Sequence, residues 1–198
     1  ALPLKLEEKY TQSVEASLGR RSLEMTVTAG LISLALIFLF MVLYYRVPGI
    51  VACVNLIVFT WLMLVVYWLL NATLTLPGIA AFILGVGMAV DANVITYERI
   101  KEEIRSGKSI MSGLRAGTKN SLSSIIDANL TTVIAAIVLY YFGTGAIQGF
   151  ALTLILSIVV SFLTNVYLSR LLLALLIGSG KFSKPSYYGV KEAEISAI

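Results

Sequence analysis

The sequence predicts an all-α membrane protein: a bundle of five transmembrane helices with a short amphipathic cytoplasmic helix. Only 13% of the 198 residues are charged, whereas 58% are hydrophobic, and the mean hydropathy is +0.89. A soluble domain carries about 25% charged residues, so this composition indicates a chain solvated by lipid. The basic residues behind the net charge of +4 lie in loops between apolar runs, which argues against a nucleic-acid-binding surface.

Uncharged runs define the five spans, because a membrane crossing needs about 20 mostly apolar residues. Two of these runs are too long for one crossing, and each contains a polar break, at residues 71–77 and 143–145. The apolar run at residues 171–177 either extends the fifth span or lies in the membrane interface. The predicted spans cover residues 25–45, 47–70, 76–97, 122–142 and 147–170.

The charged segments between the spans predict the topology. Short loops rich in Lys and Arg remain in the cytoplasm, which places Arg46, the connector at residues 98–119 and the tail or linker at residues 179–198 inside. Five crossings then leave the N-terminus outside. The connector mixes charges with apolar residues at helical spacing, which predicts short amphipathic helical structure on the cytoplasmic face, broken at Gly107.

Residues 1–23 are expected to be the end of an extracytoplasmic domain, ahead of a transmembrane domain at residues 24–178. Loose alternation at residues 4–14 predicts a strand, and residues 17–19 predict a turn. Because residue 1 is Ala and not Met, we interpret the chain as part of a longer polypeptide.

The residue types present limit the chemistry. The chain has no histidine and a single cysteine, Cys53, so it lacks the commonest metal ligand and the commonest proton carrier at neutral pH. One thiol cannot close an internal disulfide. Proton transfer must therefore use carboxylates, and we expect no metal and no organic cofactor.

Two aspartates lie inside predicted spans, each in the tripeptide Asp-Ala-Asn: Asp91 and Asp127. Each costs about 2.5–3.5 kcal/mol in hydrocarbon on insertion scales. Asp91 lies seven residues before Glu98 and Asp127 lies eight residues after Lys119. At ~1.5 Å per residue both reach roughly 10–12 Å inside the cytoplasmic boundary, so we expect a pair at similar depth on adjacent helices.

Small and polar residues recur at helical spacing around these aspartates. For Ser, Thr and Asn, ordinary hydrogen bonds between membrane helices are the favoured interpretation, whereas the aspartates favour ion transport. The predicted polar face of span four comprises Asn120, Ser124, Asp127 and Thr131, and that of span five comprises Ser157, Ser161 and Thr164. The small face of span three comprises Gly78, Ala81, Gly85, Ala89 and Ala92. The predicted supporting polar residues are Asn93, Ser124, Asn129 and Thr131, and the predicted helix-packing residues are Gly85, Gly87 and Ala89.

Two blocks of sequence resemble a known family. Residues 87–94 (GMAVDANV), followed by residues 97–103 (YERIKEE), resemble the fourth-helix signature of the SecD family. Residues 127–132 (DANLTT), 141–145 (YFGTG) and 149–151 (GFA) agree with a second block. The related SecF family typically has another sequence around its fourth-helix acid, so the chain is more similar to SecD.

This resemblance implies that the five spans correspond to SecD helices two to six, in the resistance-nodulation-division superfamily. It implies an accessory subunit of the bacterial protein-export translocase, in the cytoplasmic membrane, that uses the proton motive force to promote late steps of translocation. Asp91 would be the main proton-relay acid, and Asp127 a second acid with a less settled role. The implied partners are a SecF half, which supplies an arginine, the SecYEG channel, the preprotein and membrane lipids. Sodium is the alternative coupling ion.

Three other functions fit parts of the pattern. An intramembrane aspartyl protease also needs two aspartates that share a proton, but its Gly-x-Gly-Asp site has Asp directly after the second Gly, whereas three residues separate Gly87 from Asp91 here. A small-molecule or lipid exporter of the same superfamily would have the same local residues. A purely structural scaffold would tolerate Asn at both aspartate positions.

Overall fold

The protein is described by a computed structural model, which covers residues 16–73, 75–178, 185–190 and 195. Five helices in this part of the chain are long and apolar enough to cross a membrane, so the predicted all-α bundle of five spans is confirmed. The α-helices are α1 (Ala16–Tyr45), α2 (Val47–Leu69), α3 (Leu76–Arg105), α4 (Ile110–Phe142), α5 (Ala146–Phe162) and α6 (Ser169–Gly178).

The fifth span is one continuous helix with three segments. A π-helical segment at Leu163–Leu168 joins α5 to α6. The run at residues 171–177 therefore extends the fifth span, which reaches Gly178. Of the two placements that the sequence left open, the structure has the extended helix and not the interfacial segment.

The α3–α4 connection differs from the prediction. Its charged residues do not form separate surface helices, because α3 continues without a break to Arg105 and α4 already begins at Ile110. Gly107 has a φ of 88° and makes the reversal, a conformation that costs glycine little. Ser109 caps α4 by accepting a hydrogen bond from the Ser112 amide at 3.3 Å.

The start of the described chain also differs. Helix α1 already begins at Ala16, so the turn predicted at residues 17–19 is wrong. Those residues form the start of the helix that continues into the first span, and Gly19 does not interrupt it. The strand predicted at residues 4–14 lies outside the described residues.

Helix α3 lies at the centre of the bundle. It makes its most extensive contacts with α5 and then with α4, whereas α1 packs mainly on α2. The outward surfaces of the bundle are rich in large apolar side chains, among them Trp68, Tyr141 and Phe142 at helix ends. Aromatic residues at span ends are typical of the membrane–water interface.

The α1–α2 and α3–α4 turns lie at one end of the molecule, here called the basic end, together with residues 185–190. Arg46 forms the α1–α2 turn and donates a hydrogen bond from Nη1 to the Ser186 carbonyl at 2.7 Å. Lys101 is 4% exposed; its Nζ lies 3.0 Å from Glu98 Oε1 and 4.2 Å from the ring centroid of Tyr44. Residues 185–190 are thus anchored to the ends of the spans.

Candidate functional site

Asp91 lies on an exposed part of α3 that faces α4. It lines a cavity of about 160 Å³ between the two helices. No other residue that lines this cavity is titratable. The lining residues are Met88, Asp91, Ala92 and Ile95 of α3, and Ile125, Ala128, Asn129 and Thr132 of α4.

Asp127 is also exposed, but it does not line this cavity. Its neighbours Ala128 and Asn129 do, so the two aspartates lie on the same turns of the α3–α4 pair. The structure thus brings Asp91 together with Asn129 rather than with Asp127. Within the described ranges, neither carboxylate has a hydrogen bond or an ion pair.

The predicted supporting residues separate into different places. Asn129 lines the cavity and donates from Nδ2 to the Ile125 carbonyl at 2.7 Å. Thr131 is exposed and bonds to the carbonyl of Ala128 at 3.1 Å, and the cavity residue is its neighbour Thr132. Ser124 is half-buried and does not line the cavity.

Asn93 does not face Asp91, contrary to the expected support. Two residues along an α-helix correspond to a rotation of about 200°, so the two side chains leave α3 on opposite sides. Asn93 is 1% exposed, whereas Asp91 is exposed. Asn93 donates from Nδ2 to Asn165 Oδ1 of the fifth span at 2.9 Å. It belongs to the α3–α5 contact and not to the cavity.

The three predicted packing residues also divide between two faces of α3. Gly85 and Ala89 are buried, and a Cβ at Gly85 would lie 2.6 Å from the Cβ of Ser157 on α5. Gly87 is exposed, and a Cβ there would meet no described atom within 4 Å. The close helix contact therefore lies at Gly85, and Gly87 makes none with the described chain.

Sequence reasoning missed Asn165, the most extensively bonded side chain in the membrane part. It is 4% exposed and lies in the π segment. Its Nδ2 donates to the Ala89 carbonyl and to Ser161 Oγ, each at 3.0 Å. A step of four residues was the signal that could have found it. The buried members of this series on the fifth span are Thr153, Ser157, Ser161, Asn165 and Ser169.

An exposed carboxylate beside amide and hydroxyl groups can bind a proton or a hard cation. Among the described residues, no group of three or more His, Cys, Asp or Glu could hold a metal ion. The arrangement around Asp91 therefore offers one carboxylate beside amide and hydroxyl groups on a surface that the described chain leaves uncovered.

Comparison with known proteins gives consistent matches. The family model described as "Protein export membrane protein SecD/SecF, C-terminal" matches residues 3–179. Protein translocase subunit SecDF of Bacillus subtilis is 55% identical over 199 residues, which cover 100% of this chain and 27% of the relative. Protein translocase subunit SecD of Acidaminococcus fermentans is 46% identical over 191 residues, which cover 96% of this chain and 46% of the relative. The chain thus spans less than half the length of these relatives.

Solved structures agree with the sequence matches. The crystal structure of SecDF from Thermus thermophilus, a translocon-associated membrane protein, superimposes with a TM-score of 0.80 at 39% identity, over 83% of this chain and 23% of that one. SecDF in its super-membrane-facing form gives a TM-score of 0.77 at 40% identity, over 82% of this chain and 22% of that one.

Proposed function

We propose that this chain, which belongs to the protein export membrane protein SecD/SecF C-terminal family, is the membrane part of a Sec translocase accessory subunit driven by an ion gradient. The subunit promotes late steps of preprotein translocation across the bacterial cytoplasmic membrane. Relatives that cover nearly all of the chain are named protein translocase subunits, which supports the export role and gives no support to the protease or the small-molecule exporter.

One observation carries the gradient-driven part of the proposal. Asp91 lines a small cavity, has no partner among the described residues, and lies on a surface that those residues leave open. A carboxylate in hydrocarbon costs about 2.5–3.5 kcal/mol, so this surface needs water or another polypeptide against it. A carboxylate that alternates between water and a protein partner can bind and release an ion in each cycle.

We assign three partners to the proposed subunit. A SecF half covers the surface that carries Asp91 and Asp127 and supplies the positive charge that the described chain does not place beside them. The SecYEG channel and the preprotein complete the assembly. The positive-inside rule puts the basic end, with Arg46 and Lys108, in the cytoplasm and the N-terminus outside.

The proton is the proposed coupling ion, and sodium is the alternative. Asn129 and Thr132 contribute amide and hydroxyl oxygens beside Asp91, and oxygen ligands suit hard cations. The two ions are separated by measuring export driven by a proton gradient at zero sodium and by a sodium gradient at clamped pH.

The test is an Asp91→Asn substitution in the full-length protein, with its natural partners present. We expect export of a model preprotein to fall to the level measured without a gradient, because Asn cannot take up a proton. Export is measured in membrane vesicles with and without the gradient. Glu24→Gln is the matched control, since the only ion pair of this exposed carboxylate among the described residues is with Arg20, at the far end of α1. Gradient-dependent export by Asp91→Asn vesicles would exclude the proposal.

A further inference from the structure

Helix α3 and the fifth span pack side by side with a constant offset of 72 residues between facing positions. Asn93 bonds to Asn165 at 2.9 Å, and the hydroxyls of Tyr97 and Ser169 lie 3.1 Å apart, both with this separation. Gly85 and Ser157 differ by the same number and are in close contact. The interface therefore repeats every four residues along both helices.

The π segment carries part of this repeat. A π-helix bonds residue i to i+5 and winds more residues into each turn than an α-helix, so it changes the direction in which the following side chains leave the helix. Asn165 lies within the segment Leu163–Leu168, Ser169 follows it directly, and both bond to side chains of α3.

Asn165 uses both ends of its amide in this contact. Its Nδ2 donates to the Ala89 carbonyl and to Ser161 Oγ, each at 3.0 Å, and its Oδ1 accepts from Asn93 Nδ2 at 2.9 Å. Asn93 Nδ2 also reaches the Ala89 carbonyl, at 3.1 Å. One side chain of the fifth span therefore holds two points of α3 that are one helical turn apart.

Asp91 lies midway between those two points. Ala89 and Asn93 each differ from it by two residues, or about 200° around the helix, so Asn165 holds the turn from the side opposite the carboxylate. Before Asn93, this α3 face consists of small residues such as Gly85 and Ala89, which have no long side chains that would resist rotation or sliding of α3. On this part of the helix the hydrogen bonds of Asn165 supply that resistance, whereas the Tyr97–Ser169 bond lies one turn further on.

We propose that Asn165 is a positioning residue for Asp91: it fixes the rotation and height of the turn of α3 that presents this carboxylate to the α3–α4 cavity. The proposal rests on the proposed function of Asp91. It assigns a task to the π segment, because this segment holds the Asn165 amide within hydrogen-bond distance of the Ala89 carbonyl.

The test uses the full-length protein in its native membrane with Asn165→Leu, which keeps the approximate side-chain volume and removes all three hydrogen bonds. Thr164→Val is the matched control. Thr164 lies in the same π segment and is 1% exposed, but its hydroxyl bonds only to its own helix, at the carbonyls of Val160 and Ser161. Asn93→Leu removes the inter-helix bond from the α3 side.

The readout is modification of Asp91 by a hydrophobic carbodiimide across a pH series, quantified by mass spectrometry of the Asp91 peptide. We expect Asn165→Leu and Asn93→Leu to shift the midpoint of this profile by at least ~0.5 pH unit, about a threefold change in the ratio of reactive to unreactive carboxyl. We expect the double variant to add little to Asn165→Leu alone, because Asn165→Leu already removes the Asn93–Asn165 bond. Gradient-driven export should fall at least threefold in both variants.

A wild-type labelling profile in Asn165→Leu, or an equal shift in Thr164→Val, would overturn the positioning role. If Asn165→Leu does not accumulate in the membrane, the labelling profile of Asn93→Leu decides. That variant removes less of the contact, since the bond of Asn165 to the Ala89 carbonyl stays in place. The labelling profile does not depend on export. Normal export by Asp91→Asn would therefore refute the proposed function while the geometric test of Asn165 still gives its own answer.

Discussion

At Gly85 the backbone of α3 comes so near to α5 that a side chain of any size meets another atom. A Cβ there would lie 2.6 Å from the Cβ of Ser157 and nearer still to its hydroxyl. The Ser157 hydroxyl has no hydrogen-bond partner within the described chain. Small residues at such contacts let membrane helices approach closely enough for backbone packing, so this pair sets the distance between the two helices.

We expect Gly85→Ala to destabilise the protein by about 1–3 kcal/mol, the usual cost of an added methyl group in a filled contact. Gly87→Ala is the control on the same helix, because its Cβ would meet nothing within 4 Å among the described residues. The free energy of unfolding is measured for both by denaturant titration in mixed micelles. A Ser157→Gly second substitution should restore most of the loss at position 85, and equal effects of the two alanines would contradict the assigned contact.

Residue-scale prediction from sequence succeeded where the period was regular. Gly85 and Ala89 belong to a small-residue face that an α-helical period identifies, and the structure buries both. The predicted polar face of the fifth span steps by three residues from Ser161 to Thr164, as α-helical geometry allows, and so passes over Asn165. Steps of three and four are both helical, and only the continuation of the four-residue step to Ser169 distinguishes them.

At the scale of elements, the α3–α4 pair continues as a helical hairpin beyond the apolar part of both spans. Gly117 of α4 lies against the backbone of α3, since a Cβ would be 2.7 Å from Ile100 Cα. The tip is joined by hydrogen bonds, with Asn120 Nδ2 donating to Glu103 at 2.8 Å and Lys108 paired with the same carboxylate. The hairpin therefore links the basic end through two continuous helices to the turns that line the Asp91 cavity.

We expect Gly117→Ala to separate α3 from α4 at the basic end and to lower stability by about 1–3 kcal/mol. Gly113→Ala is the matched control one turn away, because its Cβ would meet a side-chain atom first, Ile104 Cγ1 at 3.0 Å, and the nearest backbone atom of α3 only at 3.6 Å, an ordinary contact distance. Thermal unfolding and limited proteolysis of the hairpin report the difference. An unchanged melting temperature for Gly117→Ala would show that the backbones do not approach this closely.

The connector at residues 98–119 shows why charge alone predicts the wrong end for α3 and the wrong start for α4. Charged residues ended the predicted spans because they leave hydrocarbon, but a helix does not have to stop where the membrane stops. Backbone hydrogen bonds continue as long as no breaker intervenes, and in this stretch the breaker is Gly107 with its φ of 88°. The residue at which a span leaves the membrane and the residue at which its helix ends are different positions, and hydropathy predicts only the first.

At the scale of the whole molecule, the bundle has two kinds of outward-facing surface. One is apolar, as at Trp61 of α2, which is 62% exposed. The other is polar and includes Asp91, Asp127 and Thr131. Lipid suits the first surface, but an aspartate at membrane depth is costly in hydrocarbon. The apolar surface therefore needs only lipid against it, whereas the polar surface needs a further polypeptide or water.

We expect a photo-crosslinking amino acid at position 131 to capture the proposed SecF half, and one at position 61 to capture lipid instead. The physical reason is that the polar surface must be covered, whereas the α2 surface is already matched to hydrocarbon. Crosslinked products are identified by mass spectrometry from native membranes. Capture of the same protein partner from both positions, or from neither, would contradict the assignment of the polar surface.

Sequence reasoning gave the number and order of the spans because the length of an uncharged run is a local property. The depth of the two aspartates followed from the same count, and the structure places their neighbourhoods on the same turns of α3 and α4. Which side chains of two neighbouring helices contact each other depends on the rotation of each helix about its own axis. That rotation is set by packing between distant parts of the chain. Spacing alone therefore could not show that Asp91 and Asn129 line one cavity or that Asn93 turns towards the fifth span.

The 72-residue offset between Asn93 and Asn165 also has a consequence in time. A ribosome adds about 5–20 residues per second, so Asn165 is synthesised about 4–14 s after Asn93. During that interval the amide of Asn93 lacks its native partner, in a helix that also carries Asp91. If α3 inserts during synthesis, the arrival of the fifth span supplies the partner of Asn93.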